Sequence, residues 1–339
     1  MRTDVRTWFD RRTYSGGRWT PRELQSRKAA AGSRVSVVLP ALNEEATVGA
    51  IVATIRQELV DRVPLVDELV VMDSASTDAT AAVAAAAGAR VVHIDDVLPD
   101  SPSVPGKGEV LWKALYATTG DIVVYVDADL EQFSARFIIG LLGPLLDDPA
   151  VHYVKATYDR PLATADGVSP TGGGRVTELV ARPLLNRFWP ELAGFVQPLS
   201  GEYAGRRAVL EQVPFVSGYG VEIGLLVDLL ALVGLDGLAQ VDLGRRVHSH
   251  HGDAALGRMA GQVLHTVLAR AGLPSGEPQL EQFFRGTSGE YQVVSSDVSV
   301  SQRPPMREVP AYQERRVSSR AGDRGAEHAG WPGEGVGWG

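Results

Sequence analysis

The sequence has no cysteine among its 339 residues. That removes disulfide scaffolds, thiol nucleophiles, zinc fingers and iron–sulfur ligation together. It leaves the compartment open, because a cysteine-free chain tolerates any redox setting. Basic residues are also in deficit, with 33 Lys and Arg against 41 Asp and Glu and a formal charge of −8. General nucleic-acid binding and docking on anionic membranes both need a basic face and are disfavoured. The most apolar stretch, Val221–Leu235, carries Glu222 and Asp228 and falls short of the ~20 residues that cross a bilayer. The first twenty residues are polar and arginine-rich, without the apolar core of a signal peptide. A cytoplasmic protein without a membrane partner is the expectation. With 44% hydrophobic residues the composition is ordinary for a globular fold, and the length fits two domains or one large α/β unit with additions.

Residues 1–33 read as a loosely ordered arm with one short helix at Pro21–Ala31, where Thr20 caps and Pro21 takes the first position. Val35–Pro40 is a continuous β-branched run of the kind a strand buried on both faces needs. Thr47 is placed to cap a helix in which Val48, Ile51, Val52, Ile55 and Leu59 recur at helical spacing. Asp67–Asp73 is a second strand, Ser76–Gly88 an alanine-rich helix, and the run after Ala89 a third strand. A helix from Gly106 to Gly120 precedes a fourth strand ending at Asp127-Ala128-Asp129. This β-α-β-α-β-α-β order predicts a mostly parallel sheet between helices. The second half is less regular, with strands at Val151–Asp159 and Gly237–His248, a glycine-rich turn running into a helix at Thr171–Leu185, a loop entering a long apolar helix at Pro214–Gly234, and a final helix at Ala254–Ala271. Ser301–Gly339 has no Leu, Ile or Phe, and eleven of its 39 residues are Pro or Gly. Such a segment cannot bury enough apolar surface to offset its ordering entropy. The expected division is an arm at 1–33, a nucleotide-binding half at 34–160, a second half with the last helices at 161–285, and a disordered tail at 286–339.

Ligands of open parallel sheets bind beyond the carboxyl ends of the strands, and four polar groups fall at such ends: Pro40–Glu44, Asp73–Asp78, Asp127–Asp129 and Arg246–His248. The two carboxylates of Asp127-Ala128-Asp129 can turn toward one Mg²⁺ or Mn²⁺, hard cations that favour oxygen. The alternative is that Asp129 caps a following helix. The segment Asp73–Asp78 can read ribose hydroxyls or cap the alanine-rich helix. Lys107, between two glycines at a helix start, suits a nucleotide phosphate or is a surface lysine, and its surroundings lack the spacing of a P-loop. Gly172–Thr177 puts free amides, a guanidinium and a hydroxyl at a helix start, an anion trap unless it is a flexible linker. Glu222 opens an apolar helix, where the dipole tolerates it or where it meets a sugar hydroxyl. Alternation puts Arg246, His248 and His250 on one side of a strand end, where His248 can complete a metal shell or lie in a solvated turn.

In this order, VSVVLPALNEEATVG, VDELVVMDSASTDAT, PGKGEVLW, GDIVVYVDADL, TGGGRVTELVARPLL, QPLSGEYAGRR, GYGVEIGLLVD and AQVDLGRRVH resemble the retaining glucosyl-3-phosphoglycerate synthases, glycosyltransferases of GT-A fold. The likeness spans residues 20–275, and TGGGRVTELVARPLL and GYGVEIGLL are its most specific parts. It implies a Rossmann-like α/β GT-A sheet with a carboxyl-terminal acceptor-binding extension, and a homodimer. It further implies that Pro40, Ala41, Leu42, Asn43, Glu44, Ser74 and Lys107 bind the uridine and diphosphate of UDP-glucose, with Asp127 and Ala128 touching the donor. Asp129 and His248 would ligate Mg²⁺ or Mn²⁺. Gly174, Arg175, Val176 and Thr177 would hold 3-phosphoglycerate. Tyr219, Gly220, Val221 and Glu222 would face the glucose, and Arg246 the reacting phosphates. His250 stands where the family carries an acceptor-side asparagine. The rival readings are a mannosyl-3-phosphoglycerate synthase, a polyprenyl-phosphate sugar transferase, and a non-catalytic nucleotide-sugar-binding regulator. A dinucleotide-binding dehydrogenase is excluded because no GxGxxG follows the first strand.

Overall fold

The β-branched runs of the first half build the centre of a twisted sheet. A computed structural model describes residues 1–159, 162–164, 167–169, 174–245, 252–286 and 289–316. The chain opens with α1 (Thr3–Arg12), β1 (Thr13–Ser15), α2 (Pro21–Ala30), β2 (Val35–Ala41), α3 (Val48–Ile55), β3 (Glu68–Asp73), α4 (Thr80–Ala86) and β4 (Arg90–His93). There follow α5 (Lys107–Ala117), β5 (Ile122–Tyr125), α6 (Arg136–Asp147), β6 (Tyr153–Asp159), β7 (Leu162–Thr164), β8 (Gly167–Ser169) and α7 (Arg182–Phe188). The remainder comprises β9 (Tyr203–Arg206), α8 (Arg207–Leu210), β10 (Phe215–Val216), α9 (Val221–Val233), β11 (Leu238–Arg245), α10 (Asp253–Arg270), β12 (Gln279–Arg285), β13 (Tyr291–Asp297) and β14 (Gln302–Arg303).

The eight-stranded sheet runs β1-β11-β6-β9-β5-β2-β3-β4. Every pairing in it is parallel except the two made by β9, which is antiparallel to both β5 and β6. The carboxyl ends of β2, β3 and β5 therefore share one edge, and the amino end of β9 points to that same edge. Strands from the 34–160 and 161–285 stretches alternate within this sheet, so both halves build one layer. Alternate side chains serve opposite faces. Val38, Val70, Met72 and Tyr125 pack with α5 and α9, whereas Val37, Leu39, Val71 and Val124 pack with α3 and α6.

Two expectations about the termini are corrected. The amino-terminal stretch is an ordered part of the core. Val5 and Trp8 of α1 are buried, and the Trp8 indole N–H donates to the Leu238 carbonyl at 2.8 Å. β1 extends the sheet beside β11. In α2, Thr20 and Glu23 form the reciprocal capping box that the cap reading anticipated in part. The carboxyl-terminal region is not disordered over 289–316. β12 and β13 form a hairpin against α10, β14 pairs with β10, and residues 310–316 are helical. Met306 and Tyr312 are buried, with the Tyr312 hydroxyl donating to Glu211 at 2.9 Å. A few well-placed anchors suffice where the segment lies on a preformed surface. Residues 317–339 lie outside the described residues.

Candidate active site

The loops after β2 and β3 are latched together by their own polar groups. The Asn43 N–H donates to Ser76 Oγ at 3.0 Å, and the Thr77 N–H donates to Asn43 Oδ1 at 2.8 Å. The Glu44 N–H reaches Thr80 Oγ1 at 2.7 Å, and the Ala79 N–H reaches Glu45 Oε2 at 2.8 Å. The latch holds Asn43 and Ala75 in left-handed backbone, at φ 59° and 63°, conformations that need such support in residues with a Cβ. It also delays α4, which starts at Thr80 and not Ser76, with Asp78 Oδ1 accepting from the Thr80 N–H at 2.9 Å. Thr47 precedes α3 as expected, yet its hydroxyl does not cap the helix. It donates to the Ala128 carbonyl at 2.6 Å and ties the loop after β5 to the first two.

A cavity of about 770 Å³ opens over this strand edge. Of the predicted donor residues, Pro40, Ala41, Leu42, Glu44, Ser74, Lys107, Asp127, Ala128, Tyr219 and Glu222 line it, and so does Asp129. The predicted acceptor residues Gly174, Arg175, Val176 and Thr177 line the same cavity. Asn43, Gly220 and Val221 do not. Asn43 braces the latch, Val221 is buried in the core, and Gly220 packs so closely that a Cβ would overlap Thr266 Oγ1. Arg246, His248, His250 and Gly172–Gly173 lie outside the described residues.

Lys107 is not a surface lysine. Its ammonium is paired with Asp127 and lies 3.2 Å from Glu222 Oε1, with only 20% of its side chain exposed. Burial by itself would lower its pKa, but Asp127 and Glu222 outweigh that and hold it above the ordinary lysine value. Glu222 is therefore a paired site carboxylate, more than a helix-dipole residue. Asp129 does not cap a following helix, because α6 begins only at Arg136 with Ala135 as its cap. Arg175 is committed in part elsewhere, since its Nη1 donates to Asp253 Oδ1 at 2.9 Å in an exposed pair. Such pairs are weak and easily exchanged for a bound anion.

Glu44 reports the electrostatics of the other wall. Its carboxyl is pushed up to about 7 by burial, then by the charge of Asp129 and more weakly by Asp127 and Asp78. This concentration of hard oxygen donors fits Mg²⁺ or Mn²⁺, whose charge would relieve the repulsion. Asp129, the one expected ligand among the described residues, lies on the wall of this cavity. Among them, no three His, Asp or Glu side chains enclose a metal position.

Sequence reasoning missed several lining residues: Ile94, Asp95, Ser103, Val104, Leu199, Gly201, Leu256 and Met259. Gly201 is the most consequential. It precedes β9, and a Cβ there would overlap both Asp127 Oδ2 and Lys107 Nζ. Its place follows from the reversed direction of β9, which no local pattern announces. Leu256 and Met259, three apart on α10, carry a helical spacing that was a usable signal.

Comparisons with known proteins identify the family. Residues 36–198 match the family model of glycosyl transferase family 2. Glucosyl-3-phosphoglycerate synthase of Mycolicibacterium smegmatis is 51% identical over 299 residues, covering 88% of this chain and 97% of the relative. The Petrotoga mobilis synthase is 43% identical over 300 residues, covering 87% and 92%. The crystal structure of the Mycobacterium tuberculosis synthase in complex with Mn²⁺, UDP-glucose and phosphoglyceric acid superposes with a TM-score of 0.78 at 47% identity, covering 87% of this chain and 98% of that one. Its complex with Mg²⁺ and UDP gives 0.78 at 48% identity, with the same coverage. The chain belongs to the glucosyl-3-phosphoglycerate synthase family of glycosyltransferases.

Proposed function

We propose that this protein transfers glucose from UDP-glucose to the 2-hydroxyl of 3-phosphoglycerate, with retention at the anomeric carbon, to give glucosyl-3-phosphoglycerate. The observation that carries the reading is that the residues proposed for donor and acceptor line one cavity of about 770 Å³, in a chain about half identical to synthases of that name.

In this reading Pro40, Ala41, Leu42, Glu44 and Ser74 take the uridine side, and Asn43 acts through the latch. Asp127 and Ala128 contact the donor, and Asp129 with His248 holds the cation. A divalent cation supplies Lewis-acid neutralisation of the charge that develops on the departing UDP. Lys107 and Arg246 add preorganised positive charge beside the diphosphate. Arg175, Thr177 and the amides from Gly174 onward orient the acceptor phosphate and carboxylate, joined by His250, which brings the 2-hydroxyl to the anomeric carbon. Tyr219 faces the glucose, with Gly220 and Val221 seating the start of α9. Glu222 is the one serious candidate for a covalent nucleophile, but its pairing with Lys107 makes its oxygen a weak one. Front-face attack, with the departing phosphate accepting the proton, fits that pairing better.

The test is product formation across UDP- and GDP-linked glucose and mannose donors, with 3-phosphoglycerate or glycerate as acceptor, with and without EDTA. Product from UDP-glucose and 3-phosphoglycerate that EDTA abolishes is expected. Product from a mannose donor alone, or activity undiminished by chelation, overturns the assignment. Among the described residues no helix is long and apolar enough to cross a membrane, and the reading places the enzyme in the cytoplasm. It also includes a homodimer, supported by the outer face of the β12–β13 hairpin, where Phe283, Tyr291 and Val293 are exposed. Light scattering of the wild type and of Phe283→Ser tests it, and a monomeric wild type ends it.

A further inference from the structure

We propose that the carboxyl-terminal segment 301–304 is a clamp that sets both walls of the nucleotide-sugar cavity, with Arg303 as its positioning residue. The inference rests on the donor reading above and goes beyond it, since Arg303 does not line the cavity.

One arm of the clamp is main-chain pairing. β14 runs antiparallel to β10, with Arg303 opposite Phe215 and Gln302 opposite Val216. The Ser217 N–H donates to the Ser301 carbonyl at 2.8 Å, and the Ser301 N–H donates to Ser217 Oγ at 2.9 Å. β10 leads directly into Gly218, Tyr219 and Glu222, which form one wall.

The other arm is the Arg303 side chain. Its Nε and Nη2 donate to the two carboxylate oxygens of Glu109 at 2.6 and 2.9 Å, and Nη2 also donates to the Pro102 carbonyl at 2.6 Å. The guanidinium lies 5.2 Å from the centre of the Trp112 ring, whose Nε1 donates to the Pro304 carbonyl at 2.8 Å. Glu109 and Trp112 belong to α5, which begins with Lys107. Pro102 precedes Ser103, Val104 and Pro105 of the second wall. One guanidinium therefore holds both the helix and the loop that present Lys107.

Two physical points make this more than packing. Glu109 has no exposed surface, and although the buried Lys113 ammonium lies 3.9 Å from its Oε1, its bidentate hydrogen bonds come from the Arg303 fork, which lysine cannot reproduce. The two walls are also in rigid contact, because a Cβ on Gly108 of α5 would overlap the Val216 carbonyl of β10. A shift of β14 passes into α5 and from there to the ammonium that holds Asp127.

The test compares wild type, Arg303→Met, Arg303→Lys and the double variant Glu109→Gln/Arg303→Met. Amide hydrogen exchange of the ligand-free proteins should quicken in both 98–106 and 217–222 in Arg303→Met. The UDP-glucose KM should rise about tenfold and kcat should fall with it, while the 3-phosphoglycerate KM changes little. Arg303→Lys should fall between, for lack of the second contact. The double variant removes the carboxylate that Arg303→Met leaves with Lys113 alone and should recover part of the melting temperature without recovering the donor KM. Faster exchange confined to 298–309 overturns the clamp. So does a donor KM that returns with melting temperature in the double variant, which would reduce Arg303 to a stability residue. The exchange measurement needs no turnover, so failure of the clamp and failure of the glucosyl-transfer reading are seen separately.

Discussion

The Lys107 ammonium lies 3.2 Å from Glu222 Oε1 and is paired at the same time with Asp127. One cation at the start of α5 thus serves a carboxylate beyond β5 and another at the start of α9. Lys107→Met takes the shared ammonium from two carboxylates in a largely buried site and, in the proposed reading, removes positive charge from beside the departing diphosphate. The expected result is a fall in kcat on the order of 10²-fold or more at saturating UDP-glucose, with a lowered melting temperature. Steady-state kinetics of the folded variant decide it, and an unchanged kcat would remove Lys107 from the chemistry.

Gly201 gives a cleaner test, because the atoms that an added methyl would strike are the ends of two flexible side chains, Asp127 Oδ2 and Lys107 Nζ. The fold can absorb Gly201→Ala by displacing them, so the cost falls on geometry. The expected outcome is a loss of roughly tenfold or more in kcat, with a thermal melt close to wild type. A large drop in melting temperature with normal kcat per folded molecule would show that the backbone yields instead.

What could be read in the sequence follows from how local each cause is. β2, β3 and β5 were legible because strands buried on both faces need unbroken β-branched runs, and the polar groups just after them were legible as strand-end loops. Gly201 was not, because its position depends on β9 running against its neighbours. Arg303 was not, because its partner Glu109 lies 194 residues away and the segment around it has almost no apolar content. The reading of residues 1–33 as a loose arm failed for a related reason. α1 is mostly polar, and three buried side chains, Val5, Trp8 and Arg12, dock it.

Trp8 tests that docking. It is 1% exposed, its ring centre lies 4.7 Å from that of Phe195, and its indole N–H meets the Leu238 carbonyl. Trp8→Ala should cost about 3–5 kcal/mol in urea unfolding. Trp8→Phe keeps most of the volume and loses the hydrogen bond, for about 1 kcal/mol. Both should leave UDP-glucose KM unchanged, since Trp8 does not line the cavity. A Trp8→Ala midpoint equal to wild type would detach α1 from the core.

Glu44 links pH, metal and stability. Its carboxyl rises from the usual 4.5 to about 7, chiefly through burial and then through Asp129. Between those values the folded metal-free protein binds more protons than the unfolded chain, so this group makes stability fall as pH rises through that window. Glu44 is partly exposed, and solvent screening holds the effect to about 1 kcal/mol. In EDTA, wild type should therefore lose stability from pH 5 to pH 7.5 relative to Glu44→Gln. A saturating divalent cation should cancel most of that difference by neutralising the Asp129 charge, and its binding near pH 6.5 should release protons from the wild type and fewer from the variant. Calorimetry in two buffers of different ionisation enthalpy measures that release. Equal proton release by the two proteins would mean that Glu44 does not sense the cation.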